Sequence, residues 1–445
     1  MIRFFGIDIH KDVAYVCAVD GQGRIVLSLA VPMNHAFDQF AAQLTKADHV
    51  AVEASTNAFA IHDVLARYAG EVVVVNPIKT RLIAEARIKS DKLDAQNLAQ
   101  LLRSGFIYQV WVPPTEIREL RSLVGQRTGL NKQRTQVKNA LQALLRTHRI
   151  EYETGKVFTQ AGRRWLRSLE LPGLATFQRD QHLTLLESIE VNLAAYDKEI
   201  ARLAGDNPVA KRLMQQTGIN YYSALAIYAE IGDIERFSSP KKLCSYAGLV
   251  PTLDQSGKKC RVGRITKAGR KRLRWILVEC AQVACNHDPS LKKCFDRIAQ
   301  KKGRNVAVVA VARRLLVRIW HLWHEDENHR HMKKDLWTRK LQDLAYDIGC
   351  RELGKQSTDF IQDTAQELEV KLTEEQARGR ARNRKKKEAV AEQTAPAPTT
   401  TGADPGSELA DPDQPRQDKD KVLKVQAGWV DLETGELLKR RPSGT

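Results

Sequence analysis

Arg3-Phe4-Phe5-Gly6-Ile7-Asp8-Ile9 is a β run that closes on a carboxylate, and Val50-Ala51-Val52-Glu53 is a second run that does the same. Apolar residues stand behind each acid, so each is expected where a buried core meets solvent. Ser90-Asp91-Lys92-Leu93-Asp94-Ala95 then opens a helix with two more acids one turn apart, on the same side. Taken singly, an acid at a strand end is ordinarily solvated or capping. Bringing Asp8, Glu53, Asp91 and Asp94 together costs free energy through mutual repulsion unless a cation neutralises them. Hard oxygen ligands of this kind suit Mg²⁺, and two such ions can clamp both sides of a phosphodiester during displacement. Lys11 and Lys89 flank the set and could hold phosphates, or be plain surface lysines.

Working outward, residues 2–31 alternate as three strands, with Asp20-Gly21 as a turn signal between 13–19 and 24–31. A helix is expected near 34–46, then strand 50–53, helix 57–69 and strand 71–76. The last strand is apolar on both faces, as in a buried parallel position. Pro77 begins a helical stretch and residues 91–103 form another helix. Antiparallel strands followed by βαβα units make a mixed sheet with helices on both faces, which is the order of the RNase H-like fold. There the first and fourth strands are neighbours, which would bring Asp8 beside Glu53.

The chain has 445 residues, enough for two or three domains, and 42% hydrophobic residues support real cores. No stretch approaches ~20 uninterrupted apolar residues, so no transmembrane helix is expected. The charged strand at the N-terminus argues against a signal peptide. A net charge of +18 makes nucleic acid the default partner, although basic binding proteins without a reaction share that balance. Seven cysteines, with no CxxC pair, read as reduced thiols of a cytoplasmic protein.

Ile117, Leu120, Val124, Leu130, Val137, Leu141, Leu144 and Leu145 form a helical seam, and Leu183, Leu186, Ile189, Leu193, Tyr196, Ile200 and Leu203 form a second. Two long helices with one stripe each suggest a coiled-coil arm. Its Arg127, Lys132, Arg134, Lys138 and Arg146 are either a solvated face or a contact with nucleic-acid backbone. Within 213–231, Thr217-Gly218-Ile219-Asn220 resembles the turn of a helix-hairpin-helix, though a plain helical hairpin has the same pattern. In Asp254-Gln255-Ser256-Gly257 a serine precedes residues 258–274, nine of which are Lys or Arg and none acidic. Arginines can hold a phosphate bidentately and stabilise developing charge. A serine hydroxyl needs activation, and no His/Asp partner lies nearby in sequence, so a metal on another part of the assembly is one source. His321, His324, His329 and His331 have loose metal-like spacing without evident support and read as structural. Trp111, Trp165, Trp275, Trp320 and Trp323 read as core or interface. From about residue 370 the composition shifts. Residues 378–387 are a basic run and 394–421 are rich in Pro, Thr, Asp and Gly, too polar to offset ordering entropy. Alternation returns over 422–440 around Glu433-Thr434-Gly435-Glu436, as in a small hairpin.

Gly6-Ile7-Asp8-Ile9-His10-Lys11, Glu53 and Lys89-Ser90-Asp91-Lys92-Leu93-Asp94-Ala95 resemble the N-terminal domain of the DEDD transposases of the IS110 group of bacterial insertion sequences, the bridge-RNA-guided recombinases. Tyr246-Ala247-Gly248-Leu249-Val250-Pro251, Gln255-Ser256-Gly257 and Gly263-Arg264-Ile265-Thr266-Lys267-Ala268-Gly269 resemble their C-terminal domain. The resemblance spans about residues 1–325. It implies a RuvC-like domain over 1–112 that binds Mg²⁺ through Asp8, Glu53, Asp91 and Asp94. A mostly helical transposase domain over 206–325 would follow the coiled-coil arm, placed over 113–205; beyond it, over 326–445 and outside the resemblance, composition predicts a helical extension and a largely disordered tail. It further implies Ser256 as the nucleophile; from the basic segment itself, Arg261, Arg264, Lys267, Arg270 and Lys271 are expected to face DNA near the cut site. The implied partners are donor and target DNA, a structured guide RNA, and other copies of the chain in a dimer that pairs into a tetramer, with no membrane. The rival is a Holliday-junction nuclease of the RuvC kind, in which the same acids activate water. A non-catalytic binder is a third reading, disfavoured because needless carboxylates weaken polyanion binding.

Overall fold

The computed structural model describes residues 2–81, 90–153, 155–256, 259–378 and three short strands beyond residue 421. Strands β1 (Arg3–Ile9), β2 (Val13–Asp20) and β3 (Ile25–Pro32) form an antiparallel meander. Then come α1 (His35–Ala41), β4 (Asp48–Glu53), α2 (Ala58–Leu65), β5 (Glu71–Val75), α3 (Pro77–Arg81), α4 (Asp91–Ser104) and β6 (Gln109–Val110). The six strands make one mixed sheet of order β3-β2-β1-β4-β5-β6. β4 runs parallel to β1 with Val52 opposite Ile7, so Asp8 and Glu53 follow one another off neighbouring strands. Phe37, Phe40, Ile61 and Leu65 of α1 and α2 cover one face. Ala95, Leu98, Ala99 and Leu102 of α4 cover the other.

Several elements differ from expectation, among them α2, which ends at Leu65 rather than near 69. β4 starts at Asp48, which is fully buried and takes both donors of the Arg3 guanidinium at 2.8 and 2.7 Å. A charged residue reads as loop until its cross-sheet partner is known. α1 is shorter than 34–46 because the chain tightens, with Gln43 N–H donating to Phe40 and Leu44 N–H to Ala41. The two-residue β6 is too short to show as a pattern.

Gly6 explains how α4 reaches the sheet. A Cβ built there would stand 2.1 Å from the Ala95 carbonyl oxygen and 2.5 Å from the Ala99 nitrogen, both backbone atoms. The helix therefore lies directly on β1, and its first turn overhangs Asp8, two residues along the same strand face. Gly6→Ala is expected to destabilise the fold by about 1–3 kcal/mol through overpacking, measurable by urea denaturation. Unchanged stability would mean that α4 can lift without cost.

The next elements are α5 (Thr115–Thr147), α6 (Gln160–Ser168), α7 (Ala175–Asp206), α8 (Pro208–Leu213), α9 (Tyr221–Ile231) and α10 (Pro240–Tyr246). A hairpin of β7 (Pro251–Ser256) and β8 (Lys259–Ile265) follows, then α11 (Lys271–His287), α12 (Pro289–Lys302) and α13 (Arg304–His324). The described helices end with α14 (Lys334–Ile348), α15 (Cys350–Leu353), α16 (Ser357–Glu367) and α17 (Glu374–Arg378). The two long seams do pack against each other, α5 on α7. Their inner ends are not a free arm, however. Val124, Ile200, Ala201 and Ala204 are buried in the large core built by α9, α11 and α13. Only the outer halves, with α6, carry a separate cluster of Val137, Leu141, Leu145, Leu166, Leu183 and Leu186.

Residues past 326 are less of an appendage than expected. Trp337 is fully buried in the same large core with Leu341, Leu344, Phe360 and Ile361, and its indole N–H donates to the Lys211 carbonyl at 3.1 Å. A separate unit begins at Ala381. In it, β9 (Val422–Val425), β10 (Gly428–Asp431) and β11 (Leu437–Leu438) pair antiparallel, and the last two flank the expected 433–436 turn. Lys89, Gly257, Lys258, and the expectations for the basic run past 378 and for disorder over 394–421, lie outside the described residues. Among the described residues no helix is long and apolar enough to cross a membrane.

Candidate active site

Asp8 is the last buried residue of β1, and its side chain keeps 12% of its accessible surface. Ser90 caps α4, its Oγ accepting the Leu93 N–H at 3.4 Å, so Asp91 and Asp94 fall in the first helical turn. Carboxylates are favoured there because the helix N-terminus carries partial positive charge. The burial that places α4 on Gly6 thus delivers two acids over a third. Glu53 is half-buried at the end of β4, on the same face as Ala51, which packs under α4.

The electrostatics show the strain. Burial pushes the Asp8 carboxyl above its ordinary range, and the nearby charges of Asp91 and Asp94 add to that, against an opposing pull from His10. The His10 Nε2 lies 3.3 Å from an oxygen of Asp8 and 3.3 Å from an oxygen of Asp91. One donor atom each from Asp8, His10 and Asp91 lies within 4.8 Å of the others. Among the described residues, neither Asp8 nor Asp91 has a lysine or arginine in ion-pair range. Converging oxygens with excess negative charge fit a hard divalent cation.

Of the four expected acids, then, Asp8 and Asp91 meet at ligand distance. Asp94 is near enough to act on Asp8, and Glu53 is a neighbour by strand register, but both stand outside the 4.8 Å group. His10 was not anticipated as a site residue. Its signal was present: it stands two residues past Asp8, directly after the strand's last residue. Lys11 is exposed.

The second set of residues sits elsewhere. Ser256 ends β7 on the exposed hairpin. Register places Ser256 opposite Lys259 and Asp254 opposite Arg261, on one hairpin face. Among the described elements β7 and β8 pack chiefly on each other, and no extensive packing joins them to the elements that carry Asp8, Glu53, Asp91 and Asp94. The two glycine-rich blocks meet at the hairpin's base. Gly269 (φ +113°) lies so close to Tyr246 that a Cβ would stand 2.2 Å from its carbonyl oxygen, and the Thr266 N–H donates to Val250. Arg261, Arg264, Lys267 and Lys271 are exposed, as a phosphate-facing surface requires. Arg270 is not free in the same way. Both Arg270 and Arg272 bind Glu230, which is 1% exposed, at 2.7 and 3.2 Å. Arg270 therefore anchors the segment to α9, because a buried carboxylate is costly unless paired.

The histidine group stays structural. His324 stacks on Trp320 with centroids 4.2 Å apart, His321 pairs with Glu325, and none of the four belongs to a metal-like group among the described residues. Trp320 is buried and bonded to the Phe237 carbonyl, whereas Trp275 is 39% exposed. On the arm, Arg127 is bound to Asp197 and lies over Tyr222, and Lys138 faces Glu190, so part of that basic stripe is internal packing.

Two family models match the chain. A transposase model of the DEDD type from the IS110 family matches residues 5–150, and the model described as "Transposase IS116/IS110/IS902 family" matches 210–296. The first spans β1 through α5 and holds Asp8, His10, Glu53, Asp91 and Asp94. The second spans α8 into α12 and holds Ser256 with the basic segment. The chain is 26% identical to the "Transposase for insertion sequence element IS1111A" of Coxiella burnetii over 343 residues, 74% of this chain and 92% of that protein. It is 30% identical to a "Putative transposase y4qE" of Sinorhizobium fredii over 239 residues, 53% of this chain and 59% of that one. A "Probable family 20 transposase" of Pseudomonas aeruginosa is 26% identical over 257 residues, 54% and 74% of the two chains. With both family blocks in order along one chain, this protein belongs to the IS110 family of transposases, enzymes that cut and rejoin DNA.

Proposed function

We propose that this transposase moves an insertion sequence by serine transesterification. Asp8, Glu53, Asp91 and Asp94 are its metal-binding acids, on an RNase H-like (RuvC-like) domain over 1–112. The observation that carries this is the meeting of Asp8 and Asp91 at the carboxyl end of β1, where burial and like charge already disfavour ionised Asp8. The strand order, with β1 and β4 parallel neighbours after an antiparallel meander, supports the RNase H-like reading. A divalent cation, Mg²⁺ in this reading, would supply Lewis-acid stabilisation of charge on the phosphate. Ser256 Oγ attacks the phosphorus, forming a phosphoserine ester as the bond to the leaving DNA oxygen breaks. The ester keeps the bond energy, so strands rejoin without ATP. Lys259 and Arg261 lie on the serine's side of the hairpin, and Arg264, Lys267 and Lys271 extend the basic surface over which the backbone would lie. The arm (113–205) and the C-terminal catalytic domain (206–325) complete the machine, with a guide RNA choosing donor and target and a tetramer forming at synapsis. The RNA, the oligomer and the domain limits rest on the family resemblance.

One observation favours the rival reading. Among the described elements the hairpin makes no extensive packing contact with those that carry the acids, so a lone chain favours water over Ser256 there. Incubating the protein with cognate element ends and Mg²⁺, followed by denaturing electrophoresis, separates the two. A protein–DNA adduct is expected; free cut ends without adduct would establish the nuclease. The basic hairpin is tested by neutralising Arg264 and Lys267 together. Each lost phosphate contact should lower the slope of log affinity against log salt by about one unit. A slope and affinity equal to wild type would reduce the hairpin to a solvated surface.

A further inference from the structure

We propose that His10 is a ligand in the same cation site as Asp8 and Asp91, making it a mixed nitrogen–oxygen centre whose Mn²⁺ affinity depends on the imidazole. This rests on the metal-binding role given to the acids above. The geometry follows from β1: His10 comes directly after the strand's last residue, Ile9, and two residues past Asp8. The single atom Nε2 lies 3.3 Å from a carboxylate oxygen of each acid. Adjacent ligands of an octahedral ion with bonds of about 2.1 Å stand about 3.0 Å apart, and opposite ligands about 4.2 Å. The imidazole nitrogen thus stands from each carboxylate oxygen close to the spacing of neighbouring corners of such a shell, and all three donors lie within 4.8 Å of one another. The ring is also steadied. Tyr15, the register partner of Asp8 on β2, meets the imidazole edge to face, with centroids 6.0 Å apart and planes at 84°. The imidazole side chain is 46% exposed, which leaves a path for an ion to enter.

The chemistry follows from ligand type. Carboxylates alone suit Mg²⁺ and Mn²⁺ alike, whereas an imidazole adds affinity for transition metals and little for Mg²⁺. Nitrogen in the shell therefore predicts a selective penalty: removing His10 weakens Mn²⁺ binding far more than Mg²⁺ binding. The same ring lies between Asp8 and Asp91 and contacts both carboxylates.

Pulsed EPR of the full-length protein loaded with Mn²⁺ tests this without relying on a variant. A directly bound nitrogen should appear, and its coupling should change on labelling histidine with ¹⁵N. Calorimetric titration should show that His10→Asn lowers Mn²⁺ affinity by roughly tenfold or more, the scale of losing a ligand-shell partner, with Mg²⁺ affinity within about threefold. Asp8→Asn should remove binding of both ions. Binding that depends on Asp8 but shows no nitrogen coupling, and no loss in His10→Asn, would overturn the role of His10 and leave the acids in place. Binding that survives Asp8→Asn would overturn the metal site itself.

Discussion

Asp8→Asn is expected to abolish DNA strand cleavage, by roughly three orders of magnitude or more if the cation supplies several kcal/mol of charge stabilisation. Nucleic-acid binding should stay close to wild type, because the substitution leaves the exposed hairpin and its arginines untouched. The same variant makes a second, opposite prediction about stability. Burial, with the charges of Asp91 and Asp94, raises the Asp8 carboxyl above its unfolded range, against an opposing pull from His10. A raised carboxyl destabilises the fold while ionised, and the penalty fades as pH falls and the group takes up a proton. In chelator, Asp8→Asn should therefore melt higher than wild type at neutral pH, and the difference should shrink on acidification. With a divalent cation present, the order should reverse, because only wild type gains binding energy. Cleavage at the wild-type rate would sink the metal hypothesis. A variant that melts lower in chelator would show instead that Asp8 stabilises the fold through His10.

Much of this site could be read from residues, for identifiable reasons. β1 carries a carboxylate one residue from its end and β4 ends in one, each after a short apolar run that needs no partner to be seen. α4 carries its own cap and its own apolar face, so its acids could be placed in the first turn. What could not be read depends on contacts distant in sequence. Asp48 looks like loop because Arg3 lies 45 residues away. Arg270 looks like one more phosphate ligand until Glu230 is found buried beneath it. Trp337 sits beyond the matched family blocks and in polar surroundings, yet it fills the core, because a helix needs only one apolar stripe to dock. His10 escapes a reading of the sequence for a different reason. Its neighbours in sequence mark it as a strand end, and its value comes from Asp91, on a helix 81 residues later. The hairpin of β7 and β8 was legible only as a turn, since its strands are exposed and have no apolar face to declare them.

Mixing Ser256→Ala protein with Asp8→Asn protein is expected to restore DNA cleavage that neither shows alone. The reasoning begins with the hairpin. Among the described elements, Ser256 stands on two strands that pack chiefly on each other, with no extensive contact to the sheet that carries Asp8 or to the helix that carries Asp91. A serine hydroxyl in water is a poor nucleophile, and the surrounding basic residues can hold a phosphate but cannot take its proton while charged. The acids, for their part, lack a nucleophile other than water. Each half-site is incomplete, and the simplest completion is the other half-site of a second copy. Chemistry then waits for assembly, so an isolated chain does not nick DNA at random. In a random mixture, some pairs join the intact serine of one copy to the intact acids of the other, and these should cut. For a two-copy site in an equal mixture, about a quarter of the wild-type sites would be rebuilt if copies exchange freely, a several-hundredfold gain over either variant alone on the scale of loss given above. Co-purification of differently tagged variants establishes that mixed assemblies form. No recovered cleavage in such assemblies would place serine and acids in one chain after a rearrangement of the hairpin, or remove Ser256 from the reaction.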